Sequence, residues 1–151
     1  RPVRRVQTVA EHSHQVALIA MHLGHDLTPE QQAQVMFWAL THDVHEVVYG
    51  DIPYPSKQLL CRRGMDLDGD FQDRFWGCTA NPLRNLPSIV LDLVDVADAI
   101  DAAMFAARWF PEAADQVRAQ AEERVQSRFN RSENHVSFAR AMAILEGLSH
   151  A

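Results

Sequence analysis

The stretch 28-TPEQQAQVMFWALTHDVHEVVYGDIPYPSK-57 decides the fold of this chain. Thr28 can cap a helix that has Pro29 at its first position, and Gln31 can complete a capping box. Apolar residues then recur every three or four positions, which is the period of one buried helix face. Two prolines between residues 50 and 55 stiffen the turn that follows. The stretch therefore predicts a core helix, which we expect to run to about residue 48.

The remainder of the chain predicts further helices, and no segment has the alternating pattern of a strand. We expect these helices at residues 11–24, 56–64, 88–110, 112–129 and 132–149. Residues 65–87 are rich in Gly, Asp, Asn and Pro, which predicts an irregular connection. The pattern indicates an all-α bundle of about five to seven helices, and 151 residues fit a single domain spanning 1–151.

The composition narrows the classes of partner. A net charge of −6 argues against broad electrostatic binding to nucleic acid or to an anionic membrane. No apolar run approaches the roughly 20 residues of a membrane span, and no signal peptide is visible. We expect a cytoplasmic protein, in the bacterial cytosol or, if phage-encoded, in the host cytosol. Because the sequence begins at Arg1 rather than Met, we also expect a further N-terminal segment.

Three ionisable groups crowd the end of the core helix. His42 and Glu46 are four residues apart, so both lie on the face that the apolar residues define. Asp43 adds a carboxylate beside the imidazole. A single histidine there would be explained by internal hydrogen bonds, since buried polar groups are usually paired. Three such groups in one turn make a functional site the stronger interpretation.

Two more polar residues interrupt apolar helix faces. His12 stands in line with the apolar residues of the first helix, and Asp98 lies in the apolar run 94–102. An ionised carboxylate there is costly unless it is paired or bound to a cation. We expect Asp98 to point inward and Asp95 and Asp101 to be solvated. Two histidines and two aspartates on three helices would suit one Mn²⁺, Fe²⁺, Co²⁺ or Zn²⁺ ion better than Mg²⁺.

Three short blocks carry a family resemblance. They read TVAEHSHQVA at 8–17, ALTHDVHEVVYGDIPYPSK at 39–57 and VDVADAIDA at 94–102. In this order they resemble the HD-domain metallophosphohydrolases, and more narrowly the YfbR-like 5′-deoxynucleotidases. The resemblance runs from about Val9 to Phe105, while the last helices match only in being helical. It implies an HD-domain helical bundle.

The resemblance also implies roles for individual residues. It implies one metal ion with four ligands, namely His12, His42, Asp43 and Asp98. It implies that Glu46 is the catalytic acid or base beside the metal. It places Asp51, Ile52, Pro53 and Tyr54 along the deoxyribose and base of a substrate.

This sequence departs from the family pattern in two places. An Arg-Trp pair that binds phosphate and base in the family would precede Arg1 here. Arg4 and Arg5, together with Arg1, remain as phosphate-binding candidates, with a solvated terminus as the alternative. Lys57, just past the turn, is a similar candidate.

Extra histidines are the second departure. His14 and His45 stand beside the implied ligands, where the family usually has residues that do not bind metal. His45 could join a second metal or hold a phosphate, but we favour an exposed or supporting role for both, because a one-metal site already has its ligands.

The implied reaction is hydrolysis at the α-phosphorus of a deoxynucleotide. A monophosphate would give a deoxynucleoside and phosphate. A triphosphate would give intact triphosphate, as in the similar DatZ-like dATP triphosphohydrolases, and Mg²⁺ then becomes possible. The partners expected are this small molecule and further copies of the chain in a homo-oligomer. The alternatives are an HD-type phosphodiesterase or alarmone hydrolase, and a non-catalytic HD binding or signalling module.

Overall fold

The computed structural model describes residues 6–50, 56, 59–60, 62–64, 85–129 and 135–148. Its helices are α1 (Val9–Leu23), α2 (Pro29–Thr41), α3 (Glu46–Tyr49), α4 (Ser88–Trp109), α5 (Pro111–Phe129) and α6 (His135–Gly147). No strand occurs in these ranges, so the predicted all-α class is confirmed. None of the helices described combines the length and the apolar character that crossing a membrane requires.

Capping boxes start the first two helices. The Thr28 hydroxyl accepts a hydrogen bond from the Gln31 N–H, and the Gln31 side chain accepts one from the Thr28 N–H, which confirms the predicted start of α2. Thr8 and Glu11 make the same pair of bonds at the start of α1. These bonds satisfy two of the N–H groups that a helix start leaves without partners.

The helix α2 ends at Thr41, so the prediction that it runs to about residue 48 was wrong. After Thr41 the backbone hydrogen bonds span three residues instead of four, as in a 3₁₀-helix. The Val44 N–H donates to the Thr41 carbonyl, and the Glu46 N–H donates to the Asp43 carbonyl. A short α3 then follows and ends at Gly50, whose φ of 75° favours glycine. The break lies within the cluster of ionisable residues that the sequence singled out.

One hydrophobic core joins the long helices. The central helix α4 packs against α1, α2, α5 and α6. It contributes fully buried Val90, Leu93, Val96 and Ile100. Fully burying a side chain such as Leu or Ile stabilises the fold by about 1.5–3 kcal/mol. The core therefore fixes α4 against α1 and α2. The predicted metal ligands lie on α1, on α4 and just past the end of α2.

The last helix is tied to the end of α1 by polar contacts. Ser137 Oγ and Arg140 Nη1 both donate hydrogen bonds to the Leu23 carbonyl, at 2.9 and 3.1 Å. Arg140 also contacts the Asp26 carboxylate at 3.1 Å. These bonds satisfy a carbonyl group that the C-terminal end of a helix leaves without a partner.

Candidate metal centre

Two imidazole rings are fixed by acceptors on the Nδ1 side. His12 Nδ1 lies 2.7 Å from Asp101 Oδ2, and His42 Nδ1 lies 2.8 Å from the carbonyl oxygen of Ala39. A carboxylate and a carbonyl can only accept, so each Nδ1 carries the hydrogen and donates it. The Nε2 atom of each neutral ring is then left with a lone pair. This is the arrangement in which a histidine binds a metal through Nε2.

The two Nε2 atoms share the Asp43 carboxylate, and His12 Nε2 also faces Asp98. His12 Nε2 lies 3.1 Å from Asp98 Oδ1 and 3.3 Å from Asp43 Oδ2, and His42 Nε2 also lies 3.3 Å from Asp43 Oδ2. Donor atoms bonded at about 2.1 Å to one ion are themselves about 3.0–3.4 Å apart in octahedral or tetrahedral geometry. The three contacts between these imidazoles and carboxylates thus have ligand spacing. The ligand atoms of His12, His42 and Asp98 also lie within 4.8 Å of one another.

The break after α2 explains how neighbouring residues reach one point. Consecutive residues in a regular α-helix point about 100° apart, since 3.6 residues complete a turn. Here His42 closes α2, and the tighter bonds beyond it turn the Asp43 carboxylate back toward the His42 ring. The interruption of the helix thus brings both side chains to the cluster.

The chemistry of these atoms fits a bound cation. His42 Nε2 is buried and makes no hydrogen bond, and its neighbour Asp43 Oδ2 also carries lone pairs. Around His12, burial lowers the pKa, but hydrogen bonds to Asp101, Asp43 and Asp98 outweigh this effect and raise the pKa from 6.5 to about 12. Lone pairs and negative charges facing one another require a positive charge between them. A divalent ion supplies that charge, and without one a proton on His12 does so.

Asp101 is buried, so the prediction that it is solvated was wrong. Its side chain is 5% exposed, and its Oδ2 accepts hydrogen bonds from His12 and from the Gln7 side chain. Asp98, predicted to be the inward carboxylate, is 46% exposed and lies at the mouth of the cluster. Asp101 thus holds the His12 ring in place, while Asp98 can be reached from solvent.

Asp95 was also predicted to be solvated, and this too was wrong. Its two oxygens accept hydrogen bonds from Arg124 Nη1 at 2.6 Å and from Arg128 Nε at 2.7 Å. Arg128 also lies 3.6 Å from Asp92. These contacts hold α5 against α4 and do not include any of the predicted ligands.

Glu46 and His45 form a second group with Asp43. The ligand atoms of these three residues lie within 4.8 Å of one another. The Glu46 carboxylate therefore lies close to Asp43, one of the predicted ligands. His45 is 1% exposed, whereas His14 lies on the outer surface of α1. Of the two roles favoured for these histidines, exposed or supporting, the exposed one therefore applies to His14 and is excluded for His45.

The remaining substrate-binding predictions lie outside the described residues. They concern Arg4, Arg5, Asp51, Ile52, Pro53, Tyr54 and Lys57, as well as Arg1. Their roles stay predictions.

A pocket of about 290 Å³ opens next to the cluster. Its walls are formed by Trp38, His42, Leu91, Val94, Asp95, Asp98 and Arg128. Trp38 is partly buried and packs against the core, and it also lines this pocket. Arg128 was not singled out in the sequence at all.

Comparison with known proteins found one matching family and one similar protein. Residues 1–64 match the model of the HD domain family. A dATP triphosphohydrolase of Salmonella phage PMBT28 is 38% identical over 68 residues, which cover 39% of this chain. The chain matches 35% of the length of that relative. No solved structure matches the chain. Both similarities cover less than half of this chain.

Proposed function

We propose that this protein is a metal-dependent hydrolase that cleaves the 5′ phosphate ester of deoxynucleotides at the α-phosphorus. The observation that carries the proposal is a set of three contacts of 3.1–3.3 Å between the Nε2 atoms of His12 and His42 and the carboxylates of Asp43 and Asp98. Each Nδ1 already donates to an acceptor, which leaves Nε2 for a metal. The phage relative, named a dATP triphosphohydrolase, supports the substrate class.

The four clustered residues are the proposed ligands. His12, His42, Asp43 and Asp98 would hold one divalent ion, with two imidazoles and two carboxylates as the donor set. Such a set suits Mn²⁺, Fe²⁺, Co²⁺ or Zn²⁺. When bound, the ion supplies Lewis acidity toward a phosphoryl oxygen and makes water more acidic.

Each protein group then has a defined task. Asp101 and the Ala39 carbonyl keep the rings of His12 and His42 in the tautomer that presents Nε2. Glu46, grouped with Asp43, accepts a proton from the attacking water or delivers one to the leaving 5′ oxygen. The partial exposure of Asp98 gives substrate a route to the cluster.

Phosphorus NMR tests the proposal and separates its two outcomes. Metal-free protein is incubated with dAMP or dATP after addition of Co²⁺, Mn²⁺, Zn²⁺ or Mg²⁺. Orthophosphate from dAMP identifies a 5′-deoxynucleotidase, and intact triphosphate from dATP identifies a triphosphohydrolase. If folded protein releases neither product with any of these ions, the proposal is wrong.

A further inference from the structure

The polar neighbours of Asp101 extend the metal centre beyond its helices. Asp101 Oδ2 accepts a hydrogen bond from His12 Nδ1–H at 2.7 Å and another from Gln7 Nε2 at 2.9 Å. An ionised carboxylate can only accept, so the Gln7 amide must present its NH₂ group. Gln7 stands directly before Thr8, the N-cap of α1. The chain that leads into α1 is therefore bonded to the carboxylate that orients a proposed metal ligand.

A cavity of about 160 Å³ leaves space beside the Asp101 carboxylate. Arg108 lines the same cavity, two turns farther along α4. Its guanidinium lies 5.1 Å from the centre of the Trp109 ring, and no carboxylate in the described part of the chain pairs with it. Because opposite charges attract, a free Asp101 side chain could turn into this space toward Arg108. The contact between Asp101 and His12 therefore needs a second restraint.

Gln7 supplies that restraint without adding charge. Its amide and the imidazole of His12 donate to the same oxygen, so together they fix the direction of the Asp101 carboxylate. A neutral donor suits this position, because a cation would offset the negative charge that Asp101 presents to His12. A carboxylate that accepts the Nδ1–H of a metal-binding histidine fixes its ring and makes it a better ligand. The effect of Gln7 thus passes through Asp101 to His12 Nε2.

We propose that Gln7 is a positioning residue of the metal centre, which raises metal affinity by holding Asp101 against His12. The inference rests on the proposed function, since it takes His12 as a ligand of the ion. Gln7 is not itself a ligand in this scheme and acts only through Asp101. The metal centre then includes a residue that lies before the first helix.

The test measures the affinity of metal-free protein for Co²⁺ and Zn²⁺ by calorimetry. Gln7→Met keeps the length of the side chain and removes its donors, and Gln7→Ala is the second variant if the first does not fold. Gln15→Met is the matched control. Gln15 lines the same cavity, yet among the described residues only Gln7 and His12 donate hydrogen bonds to Asp101. Circular dichroism and thermal melting establish that each variant is folded.

We expect Gln7→Met to weaken the binding of both ions by about 3–10-fold, which is less than the roughly 10–100-fold typical of losing a group bonded directly to a ligand. Gln15→Met should leave both affinities unchanged. In the NMR spectrum of Zn²⁺-loaded Gln7→Met protein, the His12 Nδ1–H should exchange faster with water, because Asp101 holds it less firmly. Unchanged affinity, unchanged exchange, or an equal loss of affinity in Gln15→Met would each overturn the inference.

A double-mutant cycle tests whether Gln7 acts through Asp101. In Asp101→Asn protein, Gln7→Met should change metal affinity by less than about 2-fold, because the contact that it acts through is already altered. An equal loss in both backgrounds, or no metal binding by the unmodified protein, would overturn the inference. Failure of the unmodified protein to hydrolyse any deoxynucleotide would instead overturn the proposed function, since the metal titrations do not depend on turnover.

Discussion

The helix α4 carries acidic residues on two sides, and the two sides are neutralised differently. Toward α5, Asp92 and Asp95 face the arginines at 124 and 128, with the closest contact at 2.6 Å. Toward α1, Asp98 and Asp101 face His12, with contacts of 3.1 and 2.7 Å. All four acids are supplied within ten residues of one helix.

The difference between the two sides lies in the type of cation. A guanidinium keeps its charge at any ordinary pH, so the α5 side is permanently balanced and contributes to the fold. An imidazole can lose its proton, and its Nε2 then becomes a ligand. The α1 side is therefore the one that can exchange a proton for a metal ion, although the amino-acid types on α4 are the same.

The largest expected difference between the two sides of α4 is the effect on metal affinity of replacing one aspartate on each side. Asp98→Asn removes a proposed ligand, and we expect a loss of hydrolysis and of metal affinity of at least about 100-fold, since replacing even a residue that only supports a ligand costs about 10–100-fold. Metal content after dialysis and phosphate release measure the two effects.

Asp95→Asn is the control for Asp98→Asn. It makes the same chemical change three residues earlier on α4, among arginines instead of histidines. We expect it to keep its metal and to melt at a lower temperature. A loss of metal equal to that of Asp98→Asn would contradict the division of α4 into two sides.

Asp101→Asn should have the next largest effect. This carboxylate accepts a hydrogen bond from His12 Nδ1–H at 2.7 Å and so fixes the tautomer of His12. Asp101 is not itself a proposed ligand. We expect metal affinity to fall by about 10–100-fold, with the ligand set intact. Metal titration by calorimetry measures the change. Unaltered affinity would show that the contact between Asp101 and His12 has no influence on the ion.

Metal binding should release a proton. In the metal-free protein the pKa of His12 is raised to about 12, so at pH 7.5 this ring is charged and must give up its proton to bind an ion. We expect release of about one proton per ion. Calorimetry in two buffers of different ionisation enthalpy counts the protons, and His12→Gln should abolish the release. Binding without proton release would argue against Nε2 of His12 as a ligand.

The same pKa determines how stability depends on pH. Because the folded pKa lies above 6.5, the proton on His12 stabilises the metal-free fold fully below about pH 6.5, and this contribution is lost as pH rises toward 12. We expect the free energy of unfolding of metal-free protein to fall between pH 6.5 and 9, measured by urea titration. Metal-loaded protein should lose less over this interval, and an equal decline would exclude His12 as the cause.

The smallest effect is expected on the α5 side. Arg124→Gln removes one partly exposed ion pair, for which about 0.2–1 kcal/mol of stability is typical. We expect the difference from the unmodified protein to shrink in 1 M salt, where exposed charges are screened. Urea titration at two salt concentrations measures it. A change in metal affinity would contradict the structural role given to this pair.

Much of the fold could be predicted from local sequence signals. The Thr28 capping box and the apolar period of α2 are both short-range, and they gave the correct start of the helix. The end of α2 was missed because residues 42–45 contain no Gly or Pro and because His42 itself still has helical dihedral angles. The helix α2 ends where backbone hydrogen bonds beyond Thr41 change to a span of three residues. No residue type in this segment signals that change.

The candidate site was predictable where residues interrupt apolar faces. His12, His42 and Asp98 stood out for that reason, and they do lie together. The supporting residues could not be found in this way. Asp95 and Asp101 each lie three residues from Asp98 in a similar apolar sequence. Only the positions of α1 and α5 decide that Asp101 meets His12 and that Asp95 meets arginine.

The two side chains that meet at the Leu23 carbonyl have a practical consequence for work on shortened forms of this chain. Ser137 and Arg140 anchor the far end of the helix that presents His12, although 114 residues separate Ser137 from Leu23. A truncation designed around the family match at residues 1–64 would remove this anchor together with α4. A fragment cut before Ser137 would therefore be a poor reagent for measuring metal affinity. It lacks the hydrogen bonds that hold the C-terminal end of α1, the helix that carries the proposed ligand His12.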